Sequence, residues 1–390
     1  MTTPIPAPTQ VAARLAPYGS TIFTEISRLA VQYNAINLGQ GFPNFDGPEF
    51  VKRAAVDAMT MGHNQYARSF GVPHLNKAIA RRFEHDSGLS FDPDTQITVT
   101  NGCTEAIAAT FLGLINPGDE VIMFEPFYDS YRACASMAGA EVKVITLAAP
   151  DFALDEQALR AAFSDRTRAI LLNTPHNPTG KVFTRAELQM IADLCKQHDV
   201  IVISDEVYEK LVFEGEHISI ATLEGMYERT LTLSSLGKTF SFTGWKIGWA
   251  IGPAELNAGV RAAHQFLTFC SATPFQHAAA AALDAPQSYY TEFLAAYRKR
   301  RDLLVDGLRG IGFNVYQPAG TYFVLADHTP FGFEDDMAFC RHLVEHCGVA
   351  AIPPSSFYHH REYGRSLVRF AFCKTEDELR EAIRRMIALA

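Results

Sequence analysis

The chain has 390 residues, 48% of them hydrophobic and 20% charged. That is long and apolar enough for a large core divided between two domains. Its formal charge of -9 argues against a surface built for nucleic acid or another polyanion. No apolar run approaches the roughly 20 residues needed to cross a bilayer. The start, MTTPIPAPTQVAARL, shows no basic segment followed by an apolar stretch, so a cytoplasmic protein with no membrane partner is expected. Seven cysteines without a CxxC pair read as reduced thiols rather than a disulfide frame. Thirteen histidines include no HExxH, and no metal site is expected.

In chain order, residues 23–34 carry a helical pattern with no sheet of their own, and are expected to pack with the C-terminal part of the chain. From residue 45 a short apolar run, a loop and a helical pattern recur. The runs are 96–100 (QITVT), 120–124 (EVIMF), 169–172 (AILL), 200–204 (VIVIS) and 230–233 (TLTL). Short runs, apolar on both faces and rich in β-branched residues, suit the buried strands of a parallel sheet. Residues 184–198 have the length and period of a helical crossover. Beyond Pro286 the pattern changes. A long amphipathic stretch, 289–308, leads to GFNVY, GTYFVLAD, DDMAFCRHLVEHC, VAAIP and SLVRFAFC, and a last helix opens on a cap at Thr375. The expected organisation is α/β. It has an N-terminal arm and helix at 1–44, a large domain with a mostly parallel central sheet at 45–285, and a smaller α+β domain at 286–390.

Open parallel sheets bind ligands beyond the carboxyl ends of their strands. Each such end is followed here by a distinctive group. After the first run, Gly102-Cys103-Thr104 opens an Ala-rich helix whose free N–H groups and dipole make an anion site. After the second comes the aromatic plate of Tyr128, and after the third Asn177 in HNPTG. Asp205 and Tyr208 follow the fourth, and Ser235, Lys238 and Lys246 the fifth. Taken singly, Asp205 reads equally as a helix cap, and Asn177 before Pro178 as a turn former. Taken together, they call for a ligand with a phosphate, a flat ring, a ring atom that wants a carboxylate and a function that reacts with an amine. Pyridoxal 5'-phosphate has all four.

Two other nucleotide readings fail. Gly237-Lys238-Thr239 resembles the end of a P-loop, but the glycine that motif needs five residues earlier is Thr232. Gly39-Gln40-Gly41 begins a dinucleotide fingerprint, but Asn44 stands at its third glycine.

Over nearly its whole length the chain resembles the fold-type I, class I aminotransferases that depend on pyridoxal phosphate. Within them it is most similar to the branch of kynurenine aminotransferase, glutamine transaminase K and bacterial methionine aminotransferase, and to actinobacterial N-succinyldiaminopimelate aminotransferases. The resemblance rests on TIFTEISRLA, NLGQGFPNFDGP, NQYARSFG, EPFYDSY, NTPHNPTG, ISDEVYE, SSLGKTFSFTGWKIGW, HQFLTF, GTYF, VAAIP and LVRFAFCK. It implies that Lys238 carries the cofactor covalently and that Asp205 faces the pyridine nitrogen. Tyr208 and Asn177 would bond the ring 3'-oxygen, and Tyr128 would stack on the ring. Cys103, Thr104, Ser235 and Lys246 would form the phosphate cup. Tyr66 would reach the phosphate of a neighbouring subunit, which implies a homodimer with shared sites. Arg369 would grip the substrate α-carboxylate, assisted by Asn177 and the Gly41 backbone.

The implied reaction moves an α-amino group from an L-amino acid of methionine, glutamine or aromatic (kynurenine) type to a 2-oxo acid by a ping-pong route. Phe23, Phe269, Tyr322, Phe323 and Phe357 are candidates for an apolar wall around the substrate side chain. Two alternatives stand beside it. An N-succinyl-LL-diaminopimelate aminotransferase of lysine biosynthesis would want a second cation, for which Arg68 is available. A cysteine-conjugate C–S β-lyase would use the same residues. A non-catalytic regulator on this fold would need an added basic DNA-binding segment, for which the N-terminal stretch is too short.

Overall fold

The computed structural model describes residues 11–19 and 21–389; the first ten residues, part of the stretch read for a leader, lie outside them. The chain enters through a helix, Ile22–Gln32, capped by the Thr21 hydroxyl, and a two-residue strand, β1 (Ile36–Asn37). It then builds one sheet from β2 (Ile97–Asn101), β3 (Glu120–Glu125), β4 (Glu141–Thr146), β5 (Thr167–Asn173), β6 (Ile201–Asp205), β7 (Thr230–Ser235) and β8 (Ile247–Ile251). Their order is β2-β8-β7-β6-β5-β3-β4. β8 alone runs in the direction opposite to the other six strands. All five runs read from the sequence are strands, each shifted or extended by a residue or two.

Two strands escaped the sequence reading. β4 is an edge strand of which only Ile145 is buried, and it lacks the uniformly apolar signature of a central strand. β8 follows β7 after a short connection without a crossover helix, as an antiparallel neighbour can. Its residues were therefore read as part of the lysine-bearing motif.

Helices cover both faces. The helix Arg185–His198 between β5 and β6 starts on a capping box. The Thr184 hydroxyl accepts from the Glu187 N–H at 3.2 Å, and the Glu187 carboxylate accepts from the Thr184 N–H at 2.8 Å. On the other face lies the helix Gly102–Leu114, apolar enough to be buried along most of its length. The C-terminal part holds a 25-residue helix, Gln287–Ile311. An antiparallel sheet follows, with β9 (Asn314–Tyr316) and β10 (Phe323–Asp327). After β11 (Val349–Ala350) it is completed by β12 (Leu367–Ala371), in the order β12-β10-β9. β1 pairs in parallel with β11, and the Ala371 N–H bonds to the Leu38 carbonyl. The N-terminal arm is thus stitched to elements from the end of the chain. Among the described residues no helix is long and apolar enough to cross a membrane, and all seven cysteines are free.

Register aligns the strand ends that matter. Asn173 on β5 lies opposite Asp205 on β6, which lies opposite Leu233 on β7, and Ser235 faces Gly248 on β8. Gly248 in turn faces Thr100 on β2. A Cβ on Gly248 would sit 2.4 Å from the Gly102 carbonyl carbon, so only glycine lets β8 approach the start of the Gly102–Leu114 helix this closely.

That helix start is held from outside the sheet by a buried ion pair. His264 Nδ1 lies 2.7 Å from Glu105 Oε1, and His264 Nε2 lies 2.8 Å from the Ser69 carbonyl. The Ser69 carbonyl and an ionised Glu105 only accept, so the arrangement favours a ring with protons on both nitrogens, the cationic form. Burial opposes the charged ring, but Glu105 and the Ser69 carbonyl raise the His264 pKa. Burial likewise opposes the charged carboxylate, but the imidazole and the Thr268 hydroxyl lower the Glu105 pKa. The pair's stabilisation is therefore lost as pH falls through the Glu105 titration and again as pH rises through that of His264. Replacing His264→Ala strands a buried carboxylate and should cost on the order of 3–5 kcal/mol. Urea unfolding at several pH values checks this: the variant should also lose the fall in stability on the alkaline side, and a cost below about 1 kcal/mol would contradict the pair's role.

Candidate active site

The carboxyl ends of β2, β5, β6 and β7 open onto a cavity of about 280 Å³. Its lining includes Phe23, Gly41, Cys103, Thr104, Tyr128, Asn177, Asp205, Tyr208, Ser235, Lys238, Lys246 and Arg369. Twelve of the site residues marked in the sequence thus meet in one place, although they span the chain from its first helix to its last strand. Among the described residues no cluster of histidine, cysteine and carboxylate groups is arranged to hold a metal.

Asp205 ends β6 on the cavity floor with 4% exposure. Burial raises its pKa, and hydrogen bonds from the Tyr131 hydroxyl and the Val207 N–H oppose that rise. Tyr131 donates to Asp205 Oδ2 at 2.7 Å and the Val207 N–H to Oδ1 at 3.2 Å. Asn173 stiffens the same corner: its amide donates to the Asp205 carbonyl at 2.9 Å and its Oδ1 accepts from the Asn177 N–H at 2.7 Å. The floor is a buried carboxylate whose charge calls for a cationic partner.

One wall is suited to an anion. The helix Gly102–Leu114 begins at the cavity, and its Ncap residue Asn101 makes no side-chain cap bond. Its first N–H groups and its dipole favour negative charge there. Gly102 has φ +74°, and a Cβ on it would lie 3.0 Å from Lys246 Nζ, so glycine leaves the ammonium room beside the helix end. Lys246 itself holds the left-handed conformation at φ 55°, which turns the chain from the Thr243–Trp245 turn into β8. Ser235 adds a hydroxyl at the end of β7.

The aromatic groups sit around this floor. Tyr128 packs edge-on against Tyr131 at 5.7 Å. Burial pushes its phenol up to about 12, so it stays neutral at ordinary pH. Tyr208 is buried and meets the Tyr322 ring edge-on at 5.2 Å.

Lys238 lies in the short helix Leu236–Thr239 that follows β7. Its amine donates to the Tyr322 hydroxyl at 2.9 Å, with the Tyr208 and Tyr322 ring centroids 5.6 and 5.5 Å away. Burial lowers its pKa and the charge of Lys246 adds to that, while Asp205 and the cysteines act against it. An amine kept from full protonation is a nucleophile and a base.

Arg369, on β12, is 2% exposed. Its Nη2 donates to the Gly39 carbonyl at 2.8 Å, and its Nη1 lies 3.4 Å from Asn177 Oδ1. Among the described residues its Nε has no partner. The rings of Phe323, Phe357 and Phe23 surround the guanidinium at 4.2, 4.8 and 5.3 Å. Burial pushes its pKa down to about 10. A buried, partly unanswered fork is suited to a carboxylate.

Three residues offered by the sequence lie elsewhere. Tyr66 is 84% exposed and packs edge-on against Phe269, so neither lines this cavity within one chain. Arg68 bonds to the Gly71 carbonyl at 2.9 Å through Nε and to Asp94 at 2.6 Å through Nη1, over the Phe70 ring, with no partner for its Nη2 among the described residues. Conversely, Tyr131, Asn173 and the hydroxyl of Tyr322 were not given polar roles. Tyr131 stands in EPFYDSY and Tyr322 in GTYF, so the signal was present, but nothing in the spacing told a hydrogen-bonding tyrosine from a packing one.

Against this geometry the comparisons agree. Residues 33–386 match the model for aminotransferase class I and II. The chain is 49% identical to a probable N-succinyldiaminopimelate aminotransferase of Mycobacterium tuberculosis, over 97% of this chain and 98% of that one. A solved structure of the N-succinyldiaminopimelate aminotransferase from that organism superposes with a TM-score of 0.95, covering 97% of this chain and 100% of the other. The methionine aminotransferase of Escherichia coli is 41% identical, over 96% and 97% of the two chains. The kynurenine–oxoglutarate transaminase of Dictyostelium discoideum is 40% identical, over 94% and 93%. With the family model spanning all but the two ends, and a lysine and a carboxylate from the mostly parallel sheet facing an arginine from β12 across one cavity, the chain belongs to the class I and II aminotransferases.

Proposed function

We propose that the chain works with pyridoxal 5'-phosphate to move the α-amino group of an L-amino acid with an uncharged side chain to a 2-oxo acid. One observation carries this reading: the Lys238 amine and the partly unanswered Arg369 fork open onto a single cavity, whose floor is a buried carboxylate and whose wall is suited to an anion. The donor set fits the cofactor group by group. Asp205 would hold the ring nitrogen, Tyr208 and Asn177 the 3'-oxygen, and Tyr128 the ring face. The Gly102–Thr104 N–H groups, Ser235 and Lys246 would hold the phosphate. When bound, the cofactor supplies an aldehyde that condenses with amines and a ring that accepts the electrons left at Cα.

The chain's own residues supply the rest. Arg369 orients the substrate through its carboxylate. Asp205 keeps the bound ring nitrogen protonated, because a buried carboxylate favours the cation beside it. Lys238 Nζ, once released by the incoming amine, takes the proton from Cα and returns it on the other side of the transfer. Phe23, Phe42 and Phe323 line the same cavity as Arg369 and Lys238. Lys238 and Arg369 lie on either side of the 45–285 and 286–390 division, so a substrate held by both would draw these two parts together. Tyr66, exposed beside Phe269, would complete the phosphate site of a second copy in a homodimer.

The aromatic lining and the commitment of the three lining cations, Lys238, Lys246 and Arg369, favour a methionine, glutamine or kynurenine type of side chain. The 49% identity to the M. tuberculosis relative favours a second reading, N-succinyl-LL-diaminopimelate, which needs another cation at the far end. Arg68 would have to leave Asp94 to supply it. Comparing kcat/KM for methionine, glutamine, kynurenine and N-succinyl-LL-diaminopimelate separates the readings. The neutral donors are expected to lead, and a tenfold or greater preference for the succinylated one reverses the choice. With a cysteine conjugate as donor, pyruvate instead of a keto acid that retains the side chain would assign the protein to β-elimination.

Lys238→Ala should still take up the cofactor, through the phosphate site and Asp205, while losing transamination; steady turnover by that variant excludes the assignment. Arg369→Lys keeps the charge but not the fork. It should raise KM for the amino acid by about tenfold or more, corresponding to about 1.4 kcal/mol, without changing cofactor uptake, as measured by initial rates and absorbance titration.

A further inference from the structure

Tyr322 makes two hydrogen bonds that the reaction outlined above does not use. Its oxygen accepts from Lys238 Nζ at 2.9 Å, and its hydroxyl donates to the Gly41 carbonyl at 2.5 Å. A phenol has a single proton. With that proton committed to Gly41, the oxygen can only accept from the amine. The amine must then donate through one N–H, and the lone pair of its neutral form is left free of Tyr322. We infer that Tyr322 is a positioning residue for Lys238, holding the freed amine as a donor so that its lone pair is available to take the substrate Cα proton.

Three further observations support this. Burial raises the Tyr322 phenol well above its usual range, so it keeps its proton for Gly41. The Gly41 carbonyl is a fixed acceptor. A Cβ on Gly41 would lie 2.7 Å from the Phe323 ring, and the same loop is tied by Asn37 Oδ1, which accepts from the Gly39 and Gln40 N–H groups at 3.0 and 3.1 Å. Finally, that loop also meets the arginine, since the Gly39 carbonyl accepts from Arg369 Nη2. The group that recognises the carboxylate and the amine that receives the proton are therefore both referenced to Gly39–Gly41, and Tyr322 makes the second connection. In the step itself the proton leaves Cα and ends on Lys238 Nζ, which changes from amine to ammonium.

The inference rests on the assignment of Lys238 proposed above, and the test separates the two. Tyr322→Phe keeps the ring between Tyr208 and Tyr297 and removes only the hydroxyl. In cofactor-free protein, the pH dependence of Lys238 modification by trinitrobenzenesulfonate is read by mass spectrometry. An ammonium gains more from the phenol oxygen than an amine does, so the variant's midpoint should move to lower pH. In the holoenzyme, kcat should fall about tenfold or more with KM within about twofold. The isotope effect with α-deuterated amino acid should rise as proton transfer becomes more limiting. An unchanged labelling midpoint, or a kcat within twofold of wild type with an unchanged isotope effect, overturns the role of Tyr322. A wild-type protein that gains no visible absorbance linked to Lys238 on addition of pyridoxal phosphate instead overturns the assignment of Lys238, and this inference with it. Cofactor uptake by the variant equal to that of wild type shows that the site is still folded.

Discussion

A carboxylate at the end of a buried strand is the constraint around which the rest of this site is arranged. Asp205 is almost fully enclosed, and an enclosed charge is tolerated only when hydrogen bonds and positive charge answer it. Tyr131 and the Val207 N–H supply the bonds. The positive charge is left to Lys238, to Lys246 and to what the cavity binds. The register of β5, β6 and β7 makes this possible, because it brings Asn173, Asp205 and the end of β7 to one level. A slip of one residue in β6 would turn Asp205 to the opposite face of the sheet.

The second requirement is reach across the chain. Arg369 comes from β12, more than a hundred residues after Lys238, yet both face one cavity. The N-terminal arm closes the gap. β1 pairs with β11, Leu38 bonds to Ala371, Gly39 takes a bond from Arg369 and Gly41 one from Tyr322. A short extended segment thus joins the lysine side of the cavity to the arginine side by main-chain carbonyls. Carbonyls suit this purpose because their positions are fixed by backbone geometry rather than by rotamers.

Much of this was legible in the sequence because each polar group followed a strand end, and strand ends in a parallel sheet share one rim. The central strands announced themselves as short apolar runs, since burial on both faces leaves no room for polar alternation. β4 did not, because an edge strand is half exposed. β8 did not, because an antiparallel return needs no crossover to mark it. The His264–Glu105 pair was also missed: a lone histidine in HQFLTF and a glutamate in a helix's first turn give no sign, 159 residues apart, that they meet.

By itself the sequence determined the order of the elements, the rim on which the cavity lies, and the places of the lysine, the carboxylate and the asparagine along it, while Arg369 was marked only by the family resemblance. The order, the rim and those places follow from local periodicity and from residue types that few environments tolerate. Tertiary structure alone decided which of two nearby tyrosines supports Asp205. In EPFYDSY, Tyr128 and Tyr131 stand one helical turn apart, and only packing turns Tyr131 to the carboxylate. It also decided that Tyr322 meets Lys238, through a turn in which Thr321 adopts φ 64° just before β10. It decided as well that Arg68 pairs with Asp94 through Nη1. Hydrogen bonds of this kind depend on direction and on distances of a few tenths of an ångström between residues far apart in the chain, and residue type and spacing carry no record of either.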